Sequence, residues 1–316
     1  MPSFDAINYS LRPNKNVERK LVFTGLRELD RRVDLSGHRY IGLGSLWFVD
    51  FVLAHKSLGI ADMVSIENTQ IGHRRAQFNQ PLSCIRVLPG EASAVLPEID
   101  YEDKPALIWL DYDSGIGGPV LRDIANVLPR LLPGSVFVVT VSAKKNDLPT
   151  QDAAENELTP EQALREIAGD LVPPALPAKR FQKNEYPRLV AEIVSNQFRS
   201  TWLRTGRPGS WIELFDIVYS DTTPMVTLGG FVASAETEAP VQQLVATPKW
   251  PGRPPEPISL PPLTLKEKIA LDRLMPTAAV PTQKQVAQLG FDLKQDQIAA
   301  YHRHYRDYPI FGEVVG

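Results

Sequence analysis

Residues 38–143 contain, in order, HRYIGLGSLWF (38–48), MVSIE (63–67), VLPGEA (87–92), LIWLDYD (107–113) and GSVFVVTVSA (134–143). These are five short apolar strands, separated by helical or turn segments, with glycines and acids at their ends. Gly42 and Gly44 close the first strand and Glu67 closes the second. The third opens onto Pro89, Gly90, Glu91 and Ala92, and the fourth ends on Asp111, Tyr112 and Asp113. Glycine lets a ligand approach the backbone, and a following helix N-terminus offers free N–H groups. An acid after the second strand takes the two hydroxyls of a ribose. The step from Gly42 to Glu67, about 25 residues, suits one strand-helix-strand unit. The pattern is the physical recipe for holding a nucleoside.

Reading outward, residues 14–35 predict a helix with Val17, Leu21, Leu26 and Leu29 on its inward stripe, started after Pro13. Further helices are expected over 46–58, stopped by Gly59, and over 119–132, closed by Pro133 and Gly134. Residues 144–184 break the rhythm with prolines and acids around one short helix, 160–168. An insertion of that size after a strand suits a lid or a recognition element. A long helix over 185–205 follows, then SWIELFDIVYSDTTPMVTLGGFVAS (210–234), a hairpin turning at 221–224. The segment TPKWPGRPPEPISLPPL (247–263) reads as an extended, semi-rigid, unpacked tether. It leads to helices over 264–274, 283–289 and 295–308. The expected division is an N-terminal helical extension (1–37), an α/β domain (38–240, insertion 144–184), a proline-rich linker (241–262) and a helical accessory module (263–316).

Composition sets bounds. In 316 residues, 43% hydrophobic and 22% charged is ordinary for a water-soluble domain with a sizeable core. No run approaches the roughly 18 apolar residues of a membrane span, so no membrane partner is expected. The start, MPSFDAINYSLRPNK, lacks the apolar core of a signal peptide. The single cysteine, Cys84, excludes an internal disulfide and a cysteine metal cluster, and cytoplasmic localisation is expected. The net charge of −3 gives no global bias toward nucleic acid.

Five alternating strands and helices followed by a helix and a terminal hairpin resemble the class I S-adenosylmethionine-dependent methyltransferase superfamily. The resemblance spans about residues 38–234. It implies a Rossmann-like α/β fold: a seven-stranded, mostly parallel sheet with a C-terminal antiparallel hairpin, here with a small helical C-terminal module. It also implies S-adenosylmethionine as cofactor. On the positions that match, Gly42, Gly44 and Ser45 would cradle the methionine part, Glu67 the ribose, and Gly90 and Glu91 the adenine. Asp111, Tyr112 and Asp113 would face the transferred methyl group. Two positions depart from the superfamily's usual pattern. Tyr40 stands where an acid is common, and Leu46 replaces the third glycine of the turn.

Each residue also has a plainer role. Gly42 and Gly44 can simply make a tight turn, Glu67 can be a solvated strand end, and Glu91 an acid at a helix start. One of Asp111 and Asp113 can cap the turn at Ser114 and Gly115. As functional groups, Asp111 and Asp113 are candidate catalytic residues, with Asp111 a general base. A divalent cation held by them is the lesser alternative, and no metal is assigned. Residues 12–19 (Arg12, Pro13, Asn14, Lys15, Glu18 and Arg19 among them) are placed over the cofactor mouth. The basic, aromatic segment 179–211 suits single-stranded nucleic acid or, preferably, a core stripe with a solvated basic face. The functional expectation is a methyltransferase of unspecified acceptor, whether small molecule, protein or nucleic acid. The alternative, favoured by Tyr40 and Leu46, is a catalytically altered methyltransferase-like binding subunit of a multi-protein assembly. Leu271, Leu274, Phe291, Tyr301, Tyr305 and Phe311 are expected to dock the C-terminal module onto the α/β domain or onto a second chain, as a homo-oligomer or with a protein partner.

Overall fold

The computed structural model describes residues 12–44 and 46–310. Seven strands form one sheet: β1 (Arg39–Leu43), β2 (Asp62–Glu67), β3 (Ile85–Pro89), β4 (Ala106–Asp111), β5 (Val136–Ser142), β6 (Ser210–Ser220) and β7 (Pro224–Ala233). Their order is β3-β2-β1-β4-β5-β7-β6. The first five pair in parallel, and β7 lies antiparallel to both β5 and β6. This is the Rossmann-like sheet expected, closed by its hairpin. The chain leaves β1 first toward β2 and later toward β4, so a crevice opens at the C-terminal ends of these strands. β5 is buried along its whole length, as a strand covered on both faces must be.

The helices are α1 (Pro13–Asp30), α2 (Val49–Leu58), α3 (Gln70–Asn79), α4 (Ala92–Val95), α5 (Val120–Val127), α6 (Pro160–Ala168), α7 (Tyr186–Thr205), α8 (Ala235–Val245), α9 (Leu265–Asp272), α10 (Gln283–Ala287) and α11 (Gln295–His304). One face of the sheet packs Ile108, Leu110 and Val139 against α5, α6 and α7. The other packs Trp109, Val138 and Phe215 against α1, α2 and the C-terminal segments. Phe198 and Trp211 stack at 4.7 Å, with Phe198 and Trp202 buried, so the aromatic part of 179–211 is a core stripe.

Two features fix α1 on its face. Pro13 occupies the first turn, where its missing N–H costs nothing. The next two amides, of Asn14 and Lys15, each donate to the carboxylate of Asp221 in the β6–β7 turn at 3.1 Å. A side chain distant in sequence therefore caps the helix.

The segment 247–263 is packed, contrary to the unpacked tether expected. Trp250, Ile258 and Leu260 are buried. The indole of Trp250 donates to the Leu214 carbonyl at 2.7 Å, Ile258 bridges to Tyr219 of β6, and the Leu260 amide donates to Asn14 Oδ1 at 2.8 Å. The prolines keep the chain extended, and the apolar residues between them cover an edge strand that would otherwise be open. The module beyond docks on its own chain: Leu271 and Tyr301 join the core, and Leu274, Phe291 and Tyr305 pack against it. Phe311 lies outside the described residues. One helix, α8, has no counterpart in the sequence reading. A Ser234–Thr237 capping box starts it, but Pro240 lies inside it and Val241 is its one buried residue, so its periodicity is weak.

Candidate active site

The crevice at the C-terminal strand ends holds a cavity of about 470 Å³, a volume typical of small-molecule sites. Its described lining includes Gly44, Glu67, Gly90, Glu91, Asp111, Tyr112 and Asp113, together with Leu43, Asn68, Ala92 and Ser114. The strand ends thus bring together most of the residues singled out from the sequence. Gly42 is not among them. It lies one strand position deeper, where a Cβ would touch the rings of Tyr40 and Phe51 at 3.2 Å. Ser45 lies outside the described residues. Tyr40 is buried and meets Phe51 edge to face at 4.9 Å, so a core ring stands where the superfamily commonly has an acid. The turn after β1 also lacks a glycine at Leu46. Its left-handed residue is Phe48, at φ +47°, and this delays the start of α2 to Val49.

Glu67 is only 2% exposed and is packed between two glycines. A Cβ at Gly44 would overlap Glu67 Oε2, and a Cβ at Gly72 would stand 2.5 Å from Oε1. The Gly44 amide binds the Ile66 carbonyl and the Gly90 amide binds the Glu67 carbonyl at 2.9 Å, tying the ends of β1, β2 and β3 together. Thr69 caps α3 through the Gly72 amide at 2.9 Å. Gly72 escaped the sequence reading. Its signal was a glycine in the first turn of the helix that follows the acidic strand end.

Asp111 is engaged from the opposite direction to the one expected. Residues 12–19 do not close over the mouth. Lys15, Glu18 and Arg19 are buried against the sheet, and the Lys15 ammonium lies 2.7 Å from Asp111 Oδ2 and 3.4 Å from Glu18 Oε2. The ammonium also sits 5.2 Å from the ring centre of Trp109 and 5.5 Å from that of Tyr219, a cation–π setting. Glu18 accepts from Thr227 at 2.6 Å; Thr227 and Thr140 bond at 2.8 Å, and the Trp109 indole donates to Thr140 at 3.0 Å. Arg19 pairs with Asp50 of α2. Burial pushes the Asp111 carboxyl above the usual carboxylate range, with the Lys15 charge opposing it. Burial likewise disfavours the Lys15 ammonium, but the Asp111 and Glu18 carboxylates outweigh it and hold the amine well above its ordinary value. The side chain of Asp111 remains 35% exposed, and that exposed part lines the cavity.

Tyr112 points the other way. Its hydroxyl donates to Asp123 of α5 at 2.6 Å, so its ring is anchored in the core beside the cavity. Beyond it, the loop 113–118 and the insertion border a second, solvent-open cavity of about 570 Å³, lined by Asp113, Ser114, Gly115, Asp147, Leu148 and Ile167 among others. Asp113 and Ser114 line both cavities. Asp147 is held by the Ser142 hydroxyl at 2.7 Å. Leu148, Ala163, Leu164 and Val172 seat the insertion on the core. Among the described residues, no group of three or more His, Cys, Asp or Glu is placed to hold a metal ion.

The cavity suits a nucleoside carrying positive charge. Its described lining presents the carboxylates of Glu67, Glu91, Asp111 and Asp113 and no lysine, arginine or histidine. Glycines admit the acid at the β2 end, and an adventitious side chain at Gly44 or Gly72 would occupy its place.

No helix among the described residues is long and apolar enough to cross a membrane. No curated protein matches the chain. Among solved structures, the chain is similar to the O-methyltransferase TomG of Streptomyces achromogenes, involved in tomaymycin synthesis and crystallised with S-adenosylmethionine. Identity is 16%, over 66% of this chain and 79% of that one, with a TM-score of 0.37. It is also similar to an O-methyltransferase of Bacillus cereus crystallised with S-adenosylhomocysteine, at 15% identity over 72% of this chain and 86% of that one, TM-score 0.38. A methyltransferase of Mesorhizobium loti matches at 13% identity over 65% of this chain and 95% of that one, TM-score 0.39. The model of the family described as "Putative O-methyltransferase" matches residues 7–316, nearly the whole length, and the chain belongs to that family.

Proposed function

We propose that the protein transfers a methyl group from S-adenosylmethionine to an oxygen of an acceptor seated in the second cavity. The observation that carries this reading is the lining shared by the two cavities: Asp113 and Ser114 belong to both, so a bound cofactor and an acceptor would meet at the end of β4. When bound, S-adenosylmethionine supplies an electrophilic methyl group on a cationic sulfur that leaves as a neutral thioether. Glu67 takes the ribose hydroxyls, and Gly90 and Glu91 border the adenine. Asp111 and Asp113 place negative charge at the reacting end, and Asp111 takes the proton lost by the acceptor hydroxyl. A carboxyl raised by burial is better matched to that task at neutral pH than an ordinary one. The remainder of catalysis is alignment of the acceptor oxygen with the methyl carbon.

The test is incubation with methyl-labelled S-adenosylmethionine and a panel of small hydroxylated acceptors, with products analysed for a new methoxy group. For an accepted substrate, Asp111→Asn lowers turnover by about 10²- to 10⁴-fold with cofactor affinity nearly intact. Equal loss of binding and turnover in that variant contradicts the base role. Cofactor binding by a wild type that methylates nothing in a broad panel favours a binding subunit instead.

A further inference from the structure

The buried charges beside the cavity are not explained by stability. Replacing a buried ion pair with apolar residues of similar volume is often neutral or stabilising. Here α1 nonetheless carries Lys15, Glu18 and Arg19 into the core, each 5% exposed or less. These three side chains do not line the cavity, whereas Asp111, which Lys15 contacts, does. The groups facing it are Lys15, Glu18 and Arg19 of α1, Asp50 of α2, Asp113 beyond β4, Tyr40 of β1 and Tyr219 of β6. Lys15 is the cation in ion-pair contact with Asp111, at 2.7 Å.

We propose that Lys15 is a positioning residue for the transfer: from the α1 side of the sheet it fixes Asp111 as an oriented anion at the reacting end of the cavity. The proposal rests on the reading of that end as the reacting one. The geometry gives it physical content. Without the ammonium, Asp111 would be a part-buried carboxylate near Glu18 and Asp50, and its hold on a proton would strengthen. α1 is thereby part of the site. Its orientation is set by Asp221, whose carboxylate accepts from the Lys15 amide itself. Lys20 of the same helix donates to the Asp307 carbonyl of the C-terminal module at 2.8 Å, which holds the helix from its far side.

The experiment is a carbon-13 NMR titration of the full chain labelled at aspartate carboxyls, with the Asp111 signal identified by its loss in Asp111→Asn. In Lys15→Met the Asp111 midpoint should rise by about one pH unit or more, and Lys15→Arg should keep it near the wild-type value. If Lys15→Met does not fold, the isocharged Lys15→Met/Glu18→Gln pair is measured instead, with a smaller rise in the same direction expected, since the Glu18 charge is removed as well. An unmoved midpoint in whichever neutral variant folds overturns the proposal. It is equally overturned if neither neutral variant folds while Lys15→Arg does, because Lys15 is then a structural residue. Titration of the wild type with S-adenosylhomocysteine, run alongside, tests the cofactor reading separately. Absence of binding there sinks that reading and leaves the Asp111 titration result standing.

Discussion

Gly44 and Glu67 stand so close that a methyl group on residue 44 would overlap the Glu67 carboxylate, and it would lie 2.9 Å from the Ile66 carbonyl as well. Backbone on one side and a buried acid on the other leave nothing flexible to give way. Gly44→Ala should therefore cost about 1–3 kcal/mol of stability, as overpacking does, and should weaken cofactor binding by displacing Glu67. Thermal melting and calorimetry on one preparation check both effects. A variant with wild-type values for both would show that the two residues are not in mutual contact.

Asp221 accepts from the first free amides of α1, so Asp221→Ala removes a helix cap. The expected loss is about 1 kcal/mol, read as a lower urea midpoint with an unchanged slope. An unchanged midpoint would mean that water or another group satisfies the Asn14 and Lys15 amides equally well.

His304 supplies a pH dependence. It is buried, its Nε2 finds no hydrogen-bond partner among the described residues, and burial, helped by the Arg303 charge, lowers its pKa to about 4. The unfolded chain takes up this proton near pH 6.5 and the folded chain only near 4. The contribution is thus fully present above pH 6.5 and lost as pH falls toward 4. The loss amounts to about 3 kcal/mol at most. His38, lowered by its own burial, acts in the same sense. Comparing urea unfolding of wild type and His304→Gln from pH 7 to pH 4 isolates the effect: the wild type should lose stability more steeply. Parallel curves would mean that His304 is not buried as a neutral ring.

Shortening the chain after Val245 removes Trp250, Ile258, Leu260, Leu271 and Tyr301 from the core on the α1 face. The apolar surface left behind should make the fragment aggregate, as light scattering would report. A monodisperse fragment with an unchanged melting temperature would show that the C-terminal segments are not needed to cover that face.

The sheet could be read from sequence because its strands are apolar runs punctuated by glycine and acid, a local signal. The same signal located Glu67, Glu91, Asp111 and Asp113 at the strand ends that border the cavity. Gly42 lies inside β1 and not in the turn, and a glycine inside a strand and a glycine just after it look alike without the register. Lys15 lies beneath the site, buried against the sheet, and not over its mouth. Its pairing with Asp111 is long-range, and nothing local distinguishes a lysine that lies over a cavity from one buried beneath it. The packing of segment 247–263 is hidden from the sequence for a related reason. Proline density reports an extended backbone but not whether Trp250 and Ile258 have an edge strand to cover. The mostly parallel sheet with its antiparallel hairpin follows from alternation and the closing hairpin, whereas the charge cluster depends on contacts between α1, β4 and β6 that only the folded chain brings together.

The measurement that bears most directly on the account is calorimetric titration of the wild type and Glu67→Ala with S-adenosylmethionine. Glu67 closes β2 inside the cavity, between Gly44 and Gly72, and in the proposed role of acceptor for two ribose hydroxyls it would contribute charge-assisted hydrogen bonds worth roughly 1.5–3 kcal/mol. The wild type should bind in a saturable, one-to-one manner, and Glu67→Ala should bind about 10- to 100-fold more weakly while remaining folded by circular dichroism. A wild type that does not bind S-adenosylmethionine, or a folded Glu67→Ala variant that binds it as tightly as the wild type, would contradict the account.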